Sequence, residues 1–234
     1  DHRDLHSFPT RRSSDLLNQP WLSRDRLRHF AAIIRDKGAP LKNCWGFIDG
    51  TVRPLCKPDR NHIILYNGHK RVHGITFQSV VAPNGLIASL FGPVEGRRHD
   101  SAMLVDSGLL QELSQYSFSL DGVSLCVYGD PAYSLCVHIQ GPFKGVNLTP
   151  AEQQFNKAMS QVRVSVEWLF WDIVNYFAFL DFKKKFKIGI SPLGKMYIVC
   201  ALLRNAHSCL YQSSTSRVFW NISTPNPGLF QLGF

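Results

Sequence analysis

The chain has 234 residues, of which 44% are hydrophobic and 12% aromatic, so its composition excludes an intrinsically disordered protein and provides a core for one large or two small domains. Its 26 Lys and Arg residues outnumber its 17 Asp and Glu residues and leave a formal net charge of +9. This excess indicates a polyanionic partner, nucleic acid first and an anionic membrane surface second, although a basic surface that binds nothing gives the same count.

The N-terminal 40 residues divide into two segments. Residues 1–16 contain HSFPTRRSSDL, which resembles the translation of a common sequencing adapter, so we expect this segment to be non-native and to carry no fold information. Residues 17–40 are predicted to be a helical lead-in, with an amphipathic helix over 22–35 that has Ser23 as its N-cap. The apolar stripe of this helix consists of Leu27, Phe30, Ala31 and Ile34.

A short apolar run, residues 44–48, carries a single carboxylate, Asp49, at its end. Because Asp-Gly is a turn signal, we expect the strand to end at Asp49 and Gly50, with the glycine leaving room beside the carboxylate. A carboxylate held at a rigid strand end is a good metal ligand, yet many ordinary strands end in the same way. Taken alone, Asp49 leaves both interpretations open.

Two further strands complete an antiparallel meander. The second strand is predicted within residues 70–81, a hairpin turn at 83–85 and the third strand at 86–91. Strands one and three then run in the same direction, so the segment after strand three emerges at the same edge of the sheet as the first aspartate. That segment contains Asp100 and Ser101, the two candidate caps of the next helix, which is predicted over 102–115 with an interruption at Ser107-Gly108. Asp100 is equally a candidate metal ligand, and the two roles are compatible.

A second apolar run, residues 124–131, also ends in a lone aspartate, Asp130. Since a helix precedes it, the connection is a crossover, and the strand is predicted to run parallel to the first. Its carboxyl end then lies at the same edge of the sheet, which brings Asp130 beside Asp49. Two aspartates at one edge favour a metal site more strongly than one does.

A long helix is predicted from Thr149, where Thr-Pro-Ala-Glu forms a capping box, to about Leu180. Beside its apolar stripe runs a polar stripe of Asn156, Ser160, Arg163 and Glu167, in which Glu167 is the one carboxylate. Such a face suits a helix that overlooks a site, but a solvated face with an Arg163–Glu167 ion pair explains the same pattern. A final apolar helix over 192–211 precedes a loosely ordered tail, residues 213–234.

The order of these elements resembles the ribonuclease H-like fold of DDE nucleases and transposases. The motifs are most similar to those of PIF/Harbinger-type transposases and the nucleases derived from them, and they span most of a domain over residues 41–212. The resemblance implies an α/β fold with a mixed sheet, three antiparallel strands plus parallel strands, flanked by helices. Where the family often has a proline after its Gly-Asp tyrosine, this chain has Ser134. The matching pieces are FIDGT (47–51), YNGHK (66–70), PNG (83–85), GRRHDS (96–101), GDPAY (129–133) and FN (155–156), followed by Arg163 and Glu167.

By this resemblance Asp49, Asp130 and Glu167 are the catalytic DDE triad, and Asp100 is a further carboxylate at the metal site. The implied activity is hydrolysis of DNA phosphodiester bonds by two divalent cations, Mg²⁺ or Mn²⁺, roughly 4 Å apart, one activating water and the other stabilising the leaving oxygen. Such hard cations prefer oxygen ligands and keep several waters, so three or four carboxylates suffice. Without a cation these carboxylates would repel one another.

Basic residues near the predicted site are candidates for contacts with the DNA backbone. The spacing of His69 and His73 would suit zinc on a helix, but the two histidines straddle the entry to a strand, which favours phosphate or base contacts by His69. The predicted DNA-binding residues are His69, Lys70, Arg71, Arg97, Arg98 and Arg163.

Two functions of different classes fit the sequence. The first is a metal-dependent DNA endonuclease or transposase-derived nuclease; the alternative is a domesticated, catalytically inactive DNA-binding or adaptor protein that retains the transposase fold. All candidate carboxylates are present, which favours the nuclease, whereas a metal phosphohydrolase on another fold would not explain the strand order. The sequence shows no independent DNA-binding module, so target choice is expected to lie in further N-terminal sequence or in a separate DNA-binding partner protein. We expect a nuclear protein that is also found in the cytoplasm.

Six cysteines, at positions 44, 56, 126, 136, 200 and 209, include no C-x-x-C pair and lie largely in apolar runs. This pattern predicts reduced, buried cysteines and does not support a zinc site. No apolar run approaches the roughly 20 residues of a membrane-spanning helix.

Overall fold

A computed structural model describes residues 19–59, 62–181, 186–187, 191–211 and 216. The adapter-like segment, residues 1–16, and the predicted tail over 213–234, apart from Ser216, lie outside the described residues. The strands are β1 (Cys44–Pro54), β2 (Tyr66–Asn67), β3 (Val72–Val81), β4 (Ile87–Glu95), β5 (Cys126–Tyr128) and β6 (Ile139–Gln140). The helices are α1 (Arg24–Asp36), α2 (His62–Leu65), α3 (Asp100–Asp106), α4 (Leu109–Tyr116), α5 (Pro150–Tyr176) and α6 (Leu193–Tyr211), with 3₁₀ turns at Pro20–Leu22 and Ala178–Asp181.

The strands form one mixed sheet around β1 and β3. These two strands pair antiparallel, and β4 pairs antiparallel with the other edge of β3, next to the short β2. On the opposite edge of β1, β5 pairs in parallel, and β6 pairs in parallel with β5. Three long antiparallel strands followed by short parallel ones confirm the predicted ribonuclease H-like α/β architecture.

Helices cover both faces of this sheet. One buried cluster joins the sheet to α5 and α6, and a second joins the opposite face to α1, α3 and α4. Alternation along β1 produces the two clusters, because Phe47 belongs to the first and Ile48 to the second. By the same alternation Asp49 lies on the face covered by α5, and Gly50 on the face covered by α3.

The two helices with sequence caps begin where predicted. In α1 the Ser23 hydroxyl accepts a hydrogen bond from the Arg26 amide at 3.4 Å, and the predicted apolar stripe is buried. In α5 both bonds of the capping box are present, from the Thr149 amide to Glu152 at 2.8 Å and from the Glu152 amide to the Thr149 hydroxyl at 3.3 Å. This helix ends at Tyr176, earlier than predicted, and a 3₁₀ turn follows it.

The prediction that the first strand ends at Asp49 and Gly50 is wrong, because β1 continues to Pro54. Its pairing with β3 runs on past both residues, with Asp49 opposite Ser79, so the Asp-Gly pair forms no turn. On the other side, β5 pairs with β1 only as far as Phe47. Asp49 therefore reaches the site from within a strand, at the point where the neighbouring parallel strand has stopped.

All six cysteines lie within the described residues, and none of them forms a disulfide. Four of them are buried as predicted, but Cys56 is only partly buried and Cys136 is exposed. Cys136 is exposed because it lies in the turn before β6 and not within a strand. Among the described helices, none has the length and apolar character needed to cross a membrane.

Candidate functional site

Asp49 is the best-buried carboxylate of the predicted site, with a side chain that is 16% exposed. Its Oδ1 accepts a hydrogen bond from the Gly50 amide at 2.9 Å, and its Oδ2 accepts one from Nη1 of Arg163 on α5 at 3.0 Å. Burial raises the pKa of Asp49. The positive charge of Arg163 and the hydrogen bond from the Gly50 amide oppose that shift, whereas the charges of Asp130 and Glu167 add to it. Asp49 is thus a desolvated carboxylate with one cationic partner and two anionic neighbours.

Asp100 reaches the same place from the opposite face of the sheet. Its carboxylate packs directly on Gly50, where an added Cβ would lie 2.7 Å from Asp100 Oδ1. Burial, followed by the charges of Asp130 and Asp49, raises the pKa of Asp100 from 3.8 to about 6. The predicted capping role is wrong, because His99 occupies the N-cap of α3 and no side chain caps this helix.

Asp130 follows β5 and completes a trio of aspartates. Its Oδ1 accepts a hydrogen bond from the Ala132 amide at 2.9 Å, which fixes the turn after the strand. Its charge raises the pKa of both Asp49 and Asp100. Since β5 pairs in parallel with β1 and Tyr128 lies opposite Phe47, Asp130 and Asp49 each follow two residues later at the same part of the sheet, as predicted.

Glu167 stands at the rim of this group. Its side chain is 57% exposed, and its Oε1 lies 3.6 Å from Nη2 of Arg163. The predicted Arg163–Glu167 ion pair is present, but the face is not simply solvated, since the same guanidinium turns inward to Asp49. Arg163 thus joins the rim carboxylate to the buried one.

The donor chemistry of this group fits a divalent cation, although the side chains do not form a ready coordination sphere. All four carboxylates offer hard oxygen atoms, and the charge of Asp130 raises the pKa of both Asp49 and Asp100, as an uncompensated neighbouring carboxylate does. The Arg163 guanidinium meanwhile supplies positive charge to Asp49. Within the described ranges, no three His, Cys, Asp or Glu side chains lie close enough together to hold a metal ion. Binding a cation would therefore require new carboxylate rotamers and the release of Asp49 by Arg163.

Tyr133 is a residue at this site to which sequence reasoning assigned no role. Its side chain is buried, and its hydroxyl has no hydrogen-bond partner within the described part of the chain. Burial, and then the charges of Asp100, Asp49 and Asp130, raise the pKa of this hydroxyl well above its ordinary value. The GDPAY motif, which places it three residues after Asp130, is the sequence feature that could have pointed to it.

Asn156, which belongs to the predicted polar stripe of α5, binds the backbone of a neighbouring loop. Its side-chain amide exchanges two hydrogen bonds with the backbone of Phe143, at 2.9 and 3.0 Å. Asn156 therefore anchors the loop after β6 to α5, and neither of these bonds involves a carboxylate of the site.

The first group of predicted DNA-binding residues forms the exposed tip of the β2–β3 hairpin, at His69, Lys70 and Arg71. Arg71 adopts a left-handed backbone conformation with φ 55°, which turns the chain into β3. The side-chain amide of Asn67 donates a 2.8 Å hydrogen bond to the Gly96 carbonyl and so ties this hairpin to the loop before α3.

The second group lies in that loop, beside Asp100. Arg97 and Arg98 are both exposed, but Arg98 pairs with Asp106, whereas the Arg97 guanidinium bonds to no described residue. Both His99 and His69 lower the pKa of Asp100, so the hairpin tip and this loop lie within electrostatic reach of the carboxylates. Arg163, the sixth predicted DNA contact, is instead held inside the carboxylate group.

Comparison with known families assigns most of the chain to a nuclease family. The model of the family described as DDE superfamily endonuclease matches residues 48–205, about two thirds of the chain, and this range includes all four carboxylates. Comparisons with curated proteins and with solved structures gave no match.

Proposed function

The chain belongs to the DDE superfamily endonuclease family, and from that membership we propose that it is a divalent-metal-dependent DNA nuclease of the PIF/Harbinger type. The observation that supports the proposal best is the convergence of three aspartates from separate elements on one part of the sheet. β5 pairs in parallel with β1, with Tyr128 opposite Phe47, so Asp130 and Asp49 each follow two residues later, and the Asp100 carboxylate from α3 packs on the neighbouring Gly50.

Each side chain has a role in this proposal. Asp49 and Asp130 would hold the cation, Asp100 would add a third oxygen donor, and Glu167 would have to turn inward from the rim. When bound, Mg²⁺ or Mn²⁺ would activate the attacking water and stabilise the leaving oxygen. Arg163 neutralises Asp49 until then, and its released guanidinium is placed to donate to a phosphate of the DNA.

The test of catalysis is nicking of supercoiled plasmid by the wild type, by Asp49→Asn and by Asp36→Asn. Asp36 is a matched control because it is an exposed aspartate on α1 that pairs only with Arg35 among the described residues. We expect nicking by the wild type and by the control in Mg²⁺ or Mn²⁺, none in EDTA, and none above background by Asp49→Asn. Equal nicking by all three proteins, or none by the wild type, would refute the catalytic proposal.

DNA binding by the two basic loops is proposed on their charge and on their place beside Asp100. Arg97→Glu should weaken binding to duplex DNA and should lower the slope of log affinity against log salt by about one, the value for one lost phosphate contact. Arg35→Glu provides the control, because that guanidinium already pairs with Asp36. An unchanged affinity and slope for Arg97→Glu would remove this loop from the interface.

The alternative function, an inactive DNA-binding or adaptor protein, is favoured by one observation. Arg163 occupies Asp49, and the described carboxylates are not gathered into a ready metal site. Under this alternative the protein binds DNA through the basic loops, while Mn²⁺ binding and nicking are absent.

Two accompanying proposals concern the setting in which the protein works. Because the proposed substrate is DNA, we propose that the protein is located in the nucleus and is also found in the cytoplasm. Cell fractionation tests this location. We further propose that a separate DNA-binding partner protein selects the target. Sequence-specific binding of a DNA site by this chain alone would contradict the need for such a partner.

A further inference from the structure

We propose that Tyr133 is a positioning residue of the carboxylate site, whose hydroxyl donates a hydrogen bond to one of the three aspartates when they turn to hold a divalent cation. The inference rests on the proposed function, because it concerns the same site. It adds a neutral donor to a group in which only carboxylates and Arg163 have been given roles.

The hydroxyl of Tyr133 is buried and unpaired. The residue is 1% exposed, and its oxygen has no hydrogen-bond partner within the described part of the chain. Since the great majority of buried polar groups in folded proteins are paired, an unpaired one requires an explanation. A donor that gains its partner only in the cation-bound state provides one.

The surroundings of Tyr133 leave its ring little freedom. A Cβ added to Gly129 would lie 2.7 Å from Tyr133 Cδ2, so the ring packs directly on the backbone of the loop that carries Asp130. The Tyr133 amide donates to the Asp130 carbonyl at 3.3 Å, and the side chain belongs to the same buried cluster as Ile48. The ring is therefore fixed to the two segments that supply Asp49 and Asp130.

The aspartates of the site lie near the hydroxyl. Asp130 precedes Tyr133 in the same turn, and its carbonyl accepts from the Tyr133 amide, while the charges of all three aspartates reach the phenol, whose O–H is a donor. A carboxylate that gives one oxygen to a cation can accept a hydrogen bond with the other, and such a bond fixes its rotamer. Tyr133 is placed to supply that bond.

A second tyrosine provides a matched control. The hydroxyl of Tyr197 on α6 is also buried and unpaired within the described residues, but the charges that act on it come from Arg53 and Cys200 and not from a carboxylate. Tyr197→Phe thus removes the same hydroxyl oxygen from the other buried cluster, in a residue that has no proposed role in metal binding.

The experiment compares the wild type, Tyr133→Phe and Tyr197→Phe by calorimetric titration with Mn²⁺ and by urea unfolding in EDTA. We expect Tyr133→Phe to bind Mn²⁺ about 10- to 100-fold more weakly, the usual effect of losing a group that orients a metal ligand. In EDTA it should be as stable as the wild type or more so, because an unpaired buried hydroxyl is removed. Tyr197→Phe should keep the wild-type affinity for Mn²⁺.

Two results would overturn the role of Tyr133 alone. The first is an unchanged Mn²⁺ affinity of Tyr133→Phe, and the second is a loss of stability in EDTA, which would show that the hydroxyl is already paired without the cation. Failure of the wild type to bind Mn²⁺ would overturn this inference together with the proposed function, so the two failures can be told apart.

Discussion

Replacement of Gly50 by alanine should separate the stability of the fold from the geometry of the site. An added Cβ would lie 2.7 Å from Oδ1 and 3.4 Å from Cγ of Asp100. Ordinary van der Waals contact begins near 3.4 Å, so the carboxylate would have to retreat by about 0.7 Å. That displacement would move the Asp100 carboxylate and leave the side chains of Asp49 and Asp130 unaltered.

The expected change in the free energy of unfolding is small, because two effects oppose each other. Loss of a glycine from the interior of a strand stabilises it by roughly 0.5–1 kcal/mol. Overpacking costs about 1–3 kcal/mol, at the low end here because the displaced group ends a short, partly exposed side chain. We therefore expect a net change within about 1 kcal/mol, accompanied by a fall in Mn²⁺ affinity of about tenfold or more.

Calorimetric titration with Mn²⁺ and urea unfolding in EDTA measure these two quantities. Gly68→Ala is the matched control, because Gly68 is exposed and a Cβ there would meet no atom within 4 Å. Equal Mn²⁺ affinities for Gly50→Ala and Gly68→Ala would refute the view that the contact between Gly50 and Asp100 shapes the site. A destabilisation above about 3 kcal/mol would show that the fold itself requires the glycine.

Three further predictions concern the buried ion pair of Asp172, the pH dependence of stability, and the competition between Arg163 and a bound cation for Asp49. Asp172→Ala should lower the free energy of unfolding by about 3–5 kcal/mol in urea titrations, because it leaves the buried Arg204 guanidinium, 2.8 Å from the Asp172 carboxylate, without its anionic partner. The folded protein holds the Asp100 proton more tightly than the unfolded chain does. The resulting stabilisation is complete below pH 3.8 and is lost as the pH rises to about 6. The free energy of unfolding, measured in EDTA across this range, should therefore depend more strongly on pH in the wild type than in Asp100→Asn. Arg163→Gln should destabilise the cation-free protein by about 1.5–3 kcal/mol while tightening Mn²⁺ binding in calorimetric titrations, because the guanidinium no longer competes for Asp49.

Each of these three has an outcome that contradicts it. For the buried ion pair, Asp36→Ala is the surface control and should change stability by less than about 1 kcal/mol; a similarly small effect of Asp172→Ala would refute the cost assigned to the pair. Identical pH profiles for the wild type and Asp100→Asn would show that this carboxyl does not titrate abnormally. Weaker Mn²⁺ binding by Arg163→Gln would show that the guanidinium supports the cation instead of competing with it.

The parts of the fold that could be predicted are those whose signal is local or periodic. The capping box at Thr149 and the N-cap at Ser23 are complete within a few residues, so the starts of α5 and α1 needed no tertiary information. The parallel pairing of β5 with β1 follows from the helix between the aspartates, since a crossover leaves little choice of direction. These rules were enough to bring Asp49 and Asp130 together.

Features that depend on partners distant in sequence could not be predicted. The Asp-Gly pair predicts a turn, but β1 continues beyond it because it pairs with β3. Gly50 instead leaves room for the Asp100 carboxylate, which packs against its backbone. The elements α2, β2 and β6 span only two to four residues each, too few to show a period. The contacts of Arg163 with Asp49 and the orphan hydroxyl of Tyr133 likewise exist only once the sheet and α5 have assembled.

Anomalous diffraction from crystals soaked in Mn²⁺ tests most directly whether these carboxylates form one metal site. The expected result is an anomalous peak in direct contact with the carboxylates of Asp49 and Asp130, with Arg163 withdrawn from Asp49. A protein that binds no Mn²⁺ there, or binds it only at other residues while Arg163 remains on Asp49, would contradict the proposed metal centre.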